Sequence, residues 1–376
     1  MANMGNVMGI IFANAHGEDM HDLTKLRTVG SVPFGGRYRL VDFPLSNMVN
    51  SGITNVGVIT RSNYLSLLDH LQSGREWDLL RKDGGLVVLP PFSRAEVGKY
   101  RGSFEALAGA KGYIEDIKAK YVVMSDCNVI ANIDYRKIVD AHKQSGADVT
   151  AVYFNKNCSK EDIKTKTVFD FGDKNKLQSV LIKPQNLLDG NYNVSANIFV
   201  LSKEFLLKII DDATSKNLID FEVDFLQRRT LDFNIIGYLY DEYYEQLNSV
   251  MDYYKANMNM LDCDVRNKLF LPYTPIYTKI RDEAPVRYGI ESNVKNSLIA
   301  DGCVIEGTVE NSILFRGVTV KAGAVIKNSI IMQDTVIGKG CEISYTISDK
   351  DVVIEDKRDL KGSEHYPVFI NKGTVI

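Results

Sequence analysis

The chain runs to 376 residues, 45% hydrophobic and 25% charged, with 45 Lys and Arg against 48 Asp and Glu for a formal charge of −3. That length allows two domains with separate cores, and the near-neutral balance argues against nucleic acid or an anionic membrane as partner. Five cysteines, at 127, 158, 263, 303 and 341, lack any CxxC spacing and read as reduced packing thiols rather than disulfides or a zinc site. No apolar run reaches the ~18 residues of a membrane span, and residues 1–9 lack the basic and apolar regions of a signal peptide. The expected location is cytoplasmic.

The first apolar run, VMGIIF at 7–12, reads as a strand. It leads into NAHGEDM (14–20), where an α/β protein places its phosphate-binding loop. This loop has one glycine, Gly17, and carries Glu18 and Asp19, which repel phosphate. Further β-branched runs follow at 55–60, 121–125, 148–154 and 197–201. Helical periods lie between them. Over 104–118, Phe104, Leu107, Ile114 and Ile117 share one face, and Ser103 is the expected N-cap. Apolar strands separated by helices predict a Rossmann-like α/β fold, a mostly parallel sheet with helices on both faces. Ligands of such sheets sit at the carboxyl ends of the strands, which singles out the loops at 13–24, 61–63 and 125–129. The one tryptophan, Trp77, is expected to anchor packing. Five scattered histidines suggest no metal site.

Near residue 292 the texture changes. Aliphatics recur at six-residue spacing in Ile299–Ile305, Leu314–Val320–Ile326 and Ile331–Ile337–Ile343. That period marks a left-handed parallel β-helix built of hexapeptides; a sandwich would alternate with period two. The expected organisation is an α/β domain over 1–260, a connector over 261–291 and a β-helix over 292–376. Within the connector, 269–285 holds three prolines. A hexapeptide-helix acyltransferase would want a histidine base among its coils, but 292–356 has none and only His365 follows.

Two segments carry a family resemblance. FGGRYRLVDFPLSNMVNSGITNVGVIT (34–60) and KYRGSFEAL (99–107), followed by the coils, make the chain similar to bacterial ADP-glucose pyrophosphorylase, or glucose-1-phosphate adenylyltransferase, over nearly its whole length. The resemblance implies a nucleotidyltransferase domain joined to a β-helix. It implies a reaction of ATP with glucose 1-phosphate that gives ADP-glucose and pyrophosphate. It also implies a glycine-rich loop with an arginine and a nearby lysine for the triphosphate, and two aspartates for Mg²⁺. Where the family loop reads GGxGxRL, this chain has residues 14–20, and the arginine position is Asp19. The family's RAKP is Arg27-Thr28-Val29-Gly30, so its lysine position is Val29. Its GDH turn is Cys127-Asn128-Val129, and its WRDVGT is 244–249, which puts Asn128 and Gln246 at the metal aspartates. On the sugar-phosphate side the YRG triplet is intact as Tyr100, Arg101 and Gly102; Lys183 of VLIKP, Ser195 of NVSANIFV and Asp220-Phe221 also match.

Asn and Gln keep an oxygen but lose a full charge, and Mg²⁺ relies on carboxylate charge to be clamped. Glu18 and Asp19 add repulsion where stabilisation is required. Four losses thus converge on one step, transfer at the α-phosphate, so no residue is assigned a catalytic role and no metal is expected. Tyr100, Arg101, Gly102, Lys183, Ser195 and Asp220 are read as the remnant of a substrate site. Asp220 reads more readily as the N-cap of a helix expected over 221–229. Within the family this pattern is similar to the GlgD type, a subunit with little or no catalysis. The resemblance implies a catalytic ADP-glucose pyrophosphorylase paralogue as partner in a heterotetramer of glycogen synthesis, Mg²⁺ only through that partner, and sugar-phosphate or adenylate effectors. A rival reading is an independently active transferase that holds Mg²⁺ through displaced ligands, Glu245 or Asp126.

Overall fold

The computed structural model describes residues 4–15, 20–61, 63–82, 84–91 and 100–376. Strand Val7–Phe12, β-branched and almost wholly buried, lies inside a nine-stranded sheet. It pairs in parallel with Asn55–Ile59 on one side and Tyr121–Asp126 on the other, and Gly85–Leu89 extends the parallel run. Beyond Tyr121–Asp126 the direction reverses. The run 197–201 is the second half of a longer strand, Gly190–Ser202, which is antiparallel to Tyr121–Asp126 and to Val149–Cys158. Its register shifts between Ser195 and Phe199, where Asn197 sits in the left-handed region with φ 55°. Such a bulge re-aims side chains next to a site.

The helices that cover the sheet follow their apolar period. In Lys203–Ser215 the buried residues are Leu206, Ile209, Ile210 and Ala213, and the Ser202 hydroxyl caps the start by accepting from Phe205 N. The helix expected over 104–118 is instead two pieces, Ser103–Gly109 and Lys111–Asp116. Gly109 and Gly112 bracket the break, and glycine costs a helix about 1 kcal/mol each. Ser103 does not cap this helix. Its hydroxyl accepts from Phe221 N (2.7 Å) and donates to Asp220 Oδ2 (3.3 Å), serving the next element instead. Trp77 is 1% exposed and meets the His70 ring edge-on. No helix among the described residues is long and apolar enough to cross a membrane.

Three five-stranded parallel sheets form the β-helix, beginning with Arg287–Tyr288, Asn293–Lys295 and Leu298–Ile299. Leu314, Val320, Ile326, Ile331, Ile337 and Ile343 fill its interior. At one corner the six-residue spacing tightens to five, as between Ile326 and Ile331. There Asn311 and Asn328 adopt left-handed φ of 46° and 47°, a conformation that Asn tolerates better than most residues and that turns the chain sharply. A hydroxyl ladder runs up the same corner. Ser312 N donates to Ser297 Oγ, Ser329 N to Ser312 Oγ and Thr346 N to Ser329 Oγ.

The sheet that starts at Leu298–Ile299 is buried on both faces. Leu314 and Ile331 point into the coil, whereas their neighbours Ile313 and Ile330, with Ile347 one coil on, join the α/β core. Successive strand residues face opposite ways, so paired aliphatics serve two cores at once. Across the same boundary Arg27 Nη2 donates to both oxygens of Asp349, at 2.6 and 2.8 Å, and both side chains are 4% exposed. Tyr254 Oη donates to the Asn328 carbonyl at 2.7 Å. The stretch expected as connector contains a helix, Cys263–Leu269, and then an irregular run whose Ile276 and Thr278 are buried.

Candidate functional site

Strands Val7–Phe12, Asn55–Ile59 and Tyr121–Asp126 end at a cavity of about 270 Å³. Phe12, Met124 and Phe199 give it an apolar wall; Arg61, Arg101, Lys183, Asp126 and Asp220 give it a charged one. The turn after the first strand is held by Asn14, whose Oδ1 accepts from Arg61 N at 3.1 Å. Thr60 is fully buried on the lining and its Oγ1 has no partner among the described residues.

The residues singled out from sequence divide into three groups. Arg101, Lys183 and Asp220 reach the cavity. Arg101 is exposed and its Nε lies 3.4 Å from Glu105 Oε1. Lys183, at φ 47°, is anchored by its backbone N–H to the Lys166 carbonyl. Asp220 Oδ1 accepts from Glu222 N and Val223 N, which makes it the N-cap of Phe221–Gln227. Tyr100 and Val29 are instead core residues. Gly102 is required by close approach: a Cβ there would stand 2.5 Å from the Ile219 carbonyl oxygen. Asp19 lies outside the described residues.

Asn128, Gln246 and Ser195 form the third group, all buried behind the cavity. Asn128 Nδ2 donates to Asn248 Oδ1 (2.9 Å), and Asn248 Nδ2 donates to the Thr165 carbonyl (3.0 Å). Asn197 Nδ2 approaches Asn128 Oδ1 at 3.5 Å, and Ser195 Oγ donates to Asn197 Oδ1 at 3.1 Å. Gln246 Nε2 donates to the Ser195 carbonyl at 2.9 Å, while its Oε1 is buried without a partner. Asn197 and Asn248 were missed by sequence reasoning; each stands two residues from a flagged position, on a strand or turn that brings it back to the same point.

Mg²⁺ does not fit this arrangement. The Asn128 amide is bonded at both ends, and the remaining Gln246 Oε1 is one neutral oxygen where a hard cation wants several, carboxylates included. Glu245 is turned away, its Oε1 accepting from Tyr243 Oη (2.9 Å) and Asn259 Nδ2 (2.8 Å). Asp126 does line the cavity. Among the described residues no group of three or more His, Cys, Asp or Glu could hold a metal ion.

Comparison with known proteins places this geometry. The family model for nucleotidyl transferase matches residues 8–262, and a GlmU-like C-terminal hexapeptide model matches residues 284–363. The chain is 36% identical to the glycogen biosynthesis protein GlgD of Bacillus subtilis over 98% of its own length and 96% of that protein. Against GlgD of Geobacillus stearothermophilus the identity is 38%, over 98% and 97%. Against the glucose-1-phosphate adenylyltransferase of Acetivibrio thermocellus it is 31%, over 96% and 85%. The chain belongs to the glucose-1-phosphate adenylyltransferase family.

A second cleft in this family member lies between the α/β part and the β-helix. Arg37, Arg39, Lys279, Arg281, Arg316 and Lys350 line it, with Tyr38 and Phe315 as apolar walls. Beneath it, His70 Nε2 and Asp42 Oδ1 are 2.5 Å apart, both buried, and Asp42 Oδ2 accepts from Arg39 N. Burial lowers His70, and it lowers the Arg39 guanidinium to about 10 despite the nearby Asp42. Nothing in the sequence marks this cleft, because its cations come from four distant stretches of chain.

Proposed function

We propose that this chain is a regulatory subunit of ADP-glucose pyrophosphorylase in glycogen biosynthesis, with little or no activity alone. The observation that carries the reading is the amide network: both positions that the family resemblance assigns to metal aspartates are neutral amides, each donating a hydrogen bond to another part of the chain. Its relatives named GlgD support the pathway. A cavity that keeps Arg101 and Lys183 but has amides at both of the family's metal-aspartate positions can hold a ligand without driving phosphoryl transfer, which needs the metal clamp. The proposed partner is a catalytic paralogue in a hetero-oligomer, a tetramer, that supplies the Mg²⁺ chemistry. The proposed setting is the cytoplasm. The basic cleft is the proposed entry for a phosphoryl group of an effector. It sits where the α/β part and the β-helix meet, so occupancy would bias their arrangement and hence the partner, a coupling that must be reciprocal in binding free energy.

Two assays test this. The purified chain, given Mg²⁺, ATP and glucose 1-phosphate, is expected to form no ADP-glucose above background; robust Mg²⁺-dependent synthesis would sink the proposal. Mixed with a catalytic homologue, it is expected to change rate, substrate affinity or effector response. No change in any of the three would also refute it.

A further inference from the structure

The basic cleft poses a charge problem that the chain's own contacts leave open. Its six cations line a cavity of about 30 Å³ with no carboxylate among the described lining residues. Lys279 is engaged by Asp69 at 3.1 Å and Arg39 by the Ser66 carbonyl and hydroxyl. Arg316 is 8% exposed with Asp301 and Glu283 in its electrostatic surroundings, and its Nε has no partner among the described residues. Arg27, adjoining the cleft, spends Nη2 on Asp349 and leaves Nη1 buried and unpaired. An unsatisfied buried donor costs about 1–3 kcal/mol, more when charged, so the cleft is built around an anion. One of the cleft's own side chains can carry such a group.

Lys350 is the side chain placed to carry it. It follows Asp349 in the turn after strand Thr346–Ser348 and opens onto the cleft with Arg39 and Arg281. We propose that the Lys350 amine takes up carbon dioxide as a carbamate whose oxygens accept hydrogen bonds from the cleft guanidinium groups. The neutral amine's lone pair attacks the carbon of CO2 and an N–C bond forms. One C–O π pair moves onto oxygen and the amine proton leaves to solvent. Nothing is oxidised or reduced. The charge at the side chain goes from zero to −1 in a ring of cations, where charge-assisted hydrogen bonds are strongest.

The step needs an unprotonated amine near neutral pH, and the surroundings supply one. Burial, with Arg39, Arg27 and Arg281 outweighing Asp349, lowers Lys350 to about 7. His70, also lowered by burial, adds no acid to the cleft. At about pH 8 the neutral fraction of Lys350 is then on the order of a few hundred-fold above that of an ordinary lysine. As pH falls through 7 the amine protonates and the carbamate is lost.

The inference rests on the cleft alone, and its test needs no partner subunit, so it fails or stands separately from the regulatory reading. The full chain is equilibrated with carbon-13 bicarbonate at about pH 8, treated with a trialkyloxonium salt to esterify carbamates, and mapped by peptide mass spectrometry. The expected result is one labelled adduct on Lys350, at least tenfold weaker at about pH 6. It is absent from Lys350→Arg and retained in Lys279→Arg, the other cleft lysine. A wild-type map without label on Lys350, or with label spread evenly over surface lysines, overturns the proposal whether or not the variants fold.

Discussion

Replacing Asn128 with aspartate reverses one hydrogen bond and buries one charge. Asn128 is fully buried, and its Nδ2 donates to Asn248 Oδ1 at 2.9 Å. A carboxylate would set acceptor against acceptor. Asn248 cannot turn over to help, because its own Nδ2 is committed to the Thr165 carbonyl. The unsatisfied Asn248 oxygen costs about 1–3 kcal/mol. The desolvated carboxylate adds to this until it is cheaper to protonate, a limit of about 5 kcal/mol at pH 7.5 if the unfolded value is near 3.9. Once protonated, the acid O–H can donate to Asn248 as the amide did. The sign follows: the carboxyl's folded value is raised above its unfolded value, so the folded variant holds its proton longer. Its deficit relative to the native chain grows as pH rises from about 4 until the folded value is passed. Urea unfolding of Asn128→Asp beside the native chain should show a loss of about 3–5 kcal/mol near pH 7.5 that shrinks to about 1 kcal/mol near pH 4. A loss that is the same at both pH values, or below about 0.5 kcal/mol throughout, would refute the hydrogen-bond assignment. Recovery of stability in millimolar Mg²⁺ would show that a metal can enter, against the reading of a closed amide network.

Asp349→Asn removes the counter-charge of a buried guanidinium and should destabilise by about 3–5 kcal/mol in urea unfolding, whereas Arg27→Met with Asp349→Leu should recover most of that. Equal losses in the single and double variants would mean that packing, not the ion pair, carries the effect. Gly102→Ala brings a Cβ within 2.5 Å of the Ile219 carbonyl and 2.8 Å of its Cγ2, in an extended backbone with φ −162°. Overpacking of this kind costs about 1–3 kcal/mol, to be read as a lowered melting temperature; an unchanged one would count against the close contact. His142 is buried, with Nδ1 2.9 Å from Thr150 Oγ1, and burial lowers it to about 4. The unfolded ring protonates first, so stability drains away as pH falls from about 6.5 towards 4, by about 2 kcal/mol after allowing for partial solvent screening. His142→Gln should flatten that part of the pH profile.

How far the sequence could be read depended on whether a feature was local. Val7–Phe12, Asn55–Ile59 and Tyr121–Asp126 emerge close to their apolar runs, and the coils from Leu298 onward follow their six-residue period. The antiparallel turn of Gly190–Ser202 was not legible, because strand direction is decided by pairing rather than by composition. Ser103 misled for a related reason: its N-cap chemistry was real, but it is spent on Phe221, a partner brought in by tertiary packing. The site was half legible. Asn128 and Gln246 could be flagged by position, yet their bonding through Asn197 and Asn248 needed the bulge and turn that fold them together. Arg27 and Asp349 are 322 residues apart, and no pattern in a window of sequence joins them.

The serine ladder at the asparagine corner has a further consequence. Each hydroxyl receives the N–H of the residue one coil later, 15 residues on at the first rung and 17 at the next two. Each rung offers its own hydroxyl to the next coil, so a formed coil presents a template for its successor. Tyr254 holds the Asn328 carbonyl beside the rung at Ser329, so the α/β part can act as the seed. An insertion inside a strand would swap the Ile330 face for the Ile331 face, whereas the turns absorb length: Ile313 pairs with Leu298 15 residues back, and Val368 with Thr346 22 residues back. Length change in this half of the molecule is therefore confined to the corners, while the short strands keep their register.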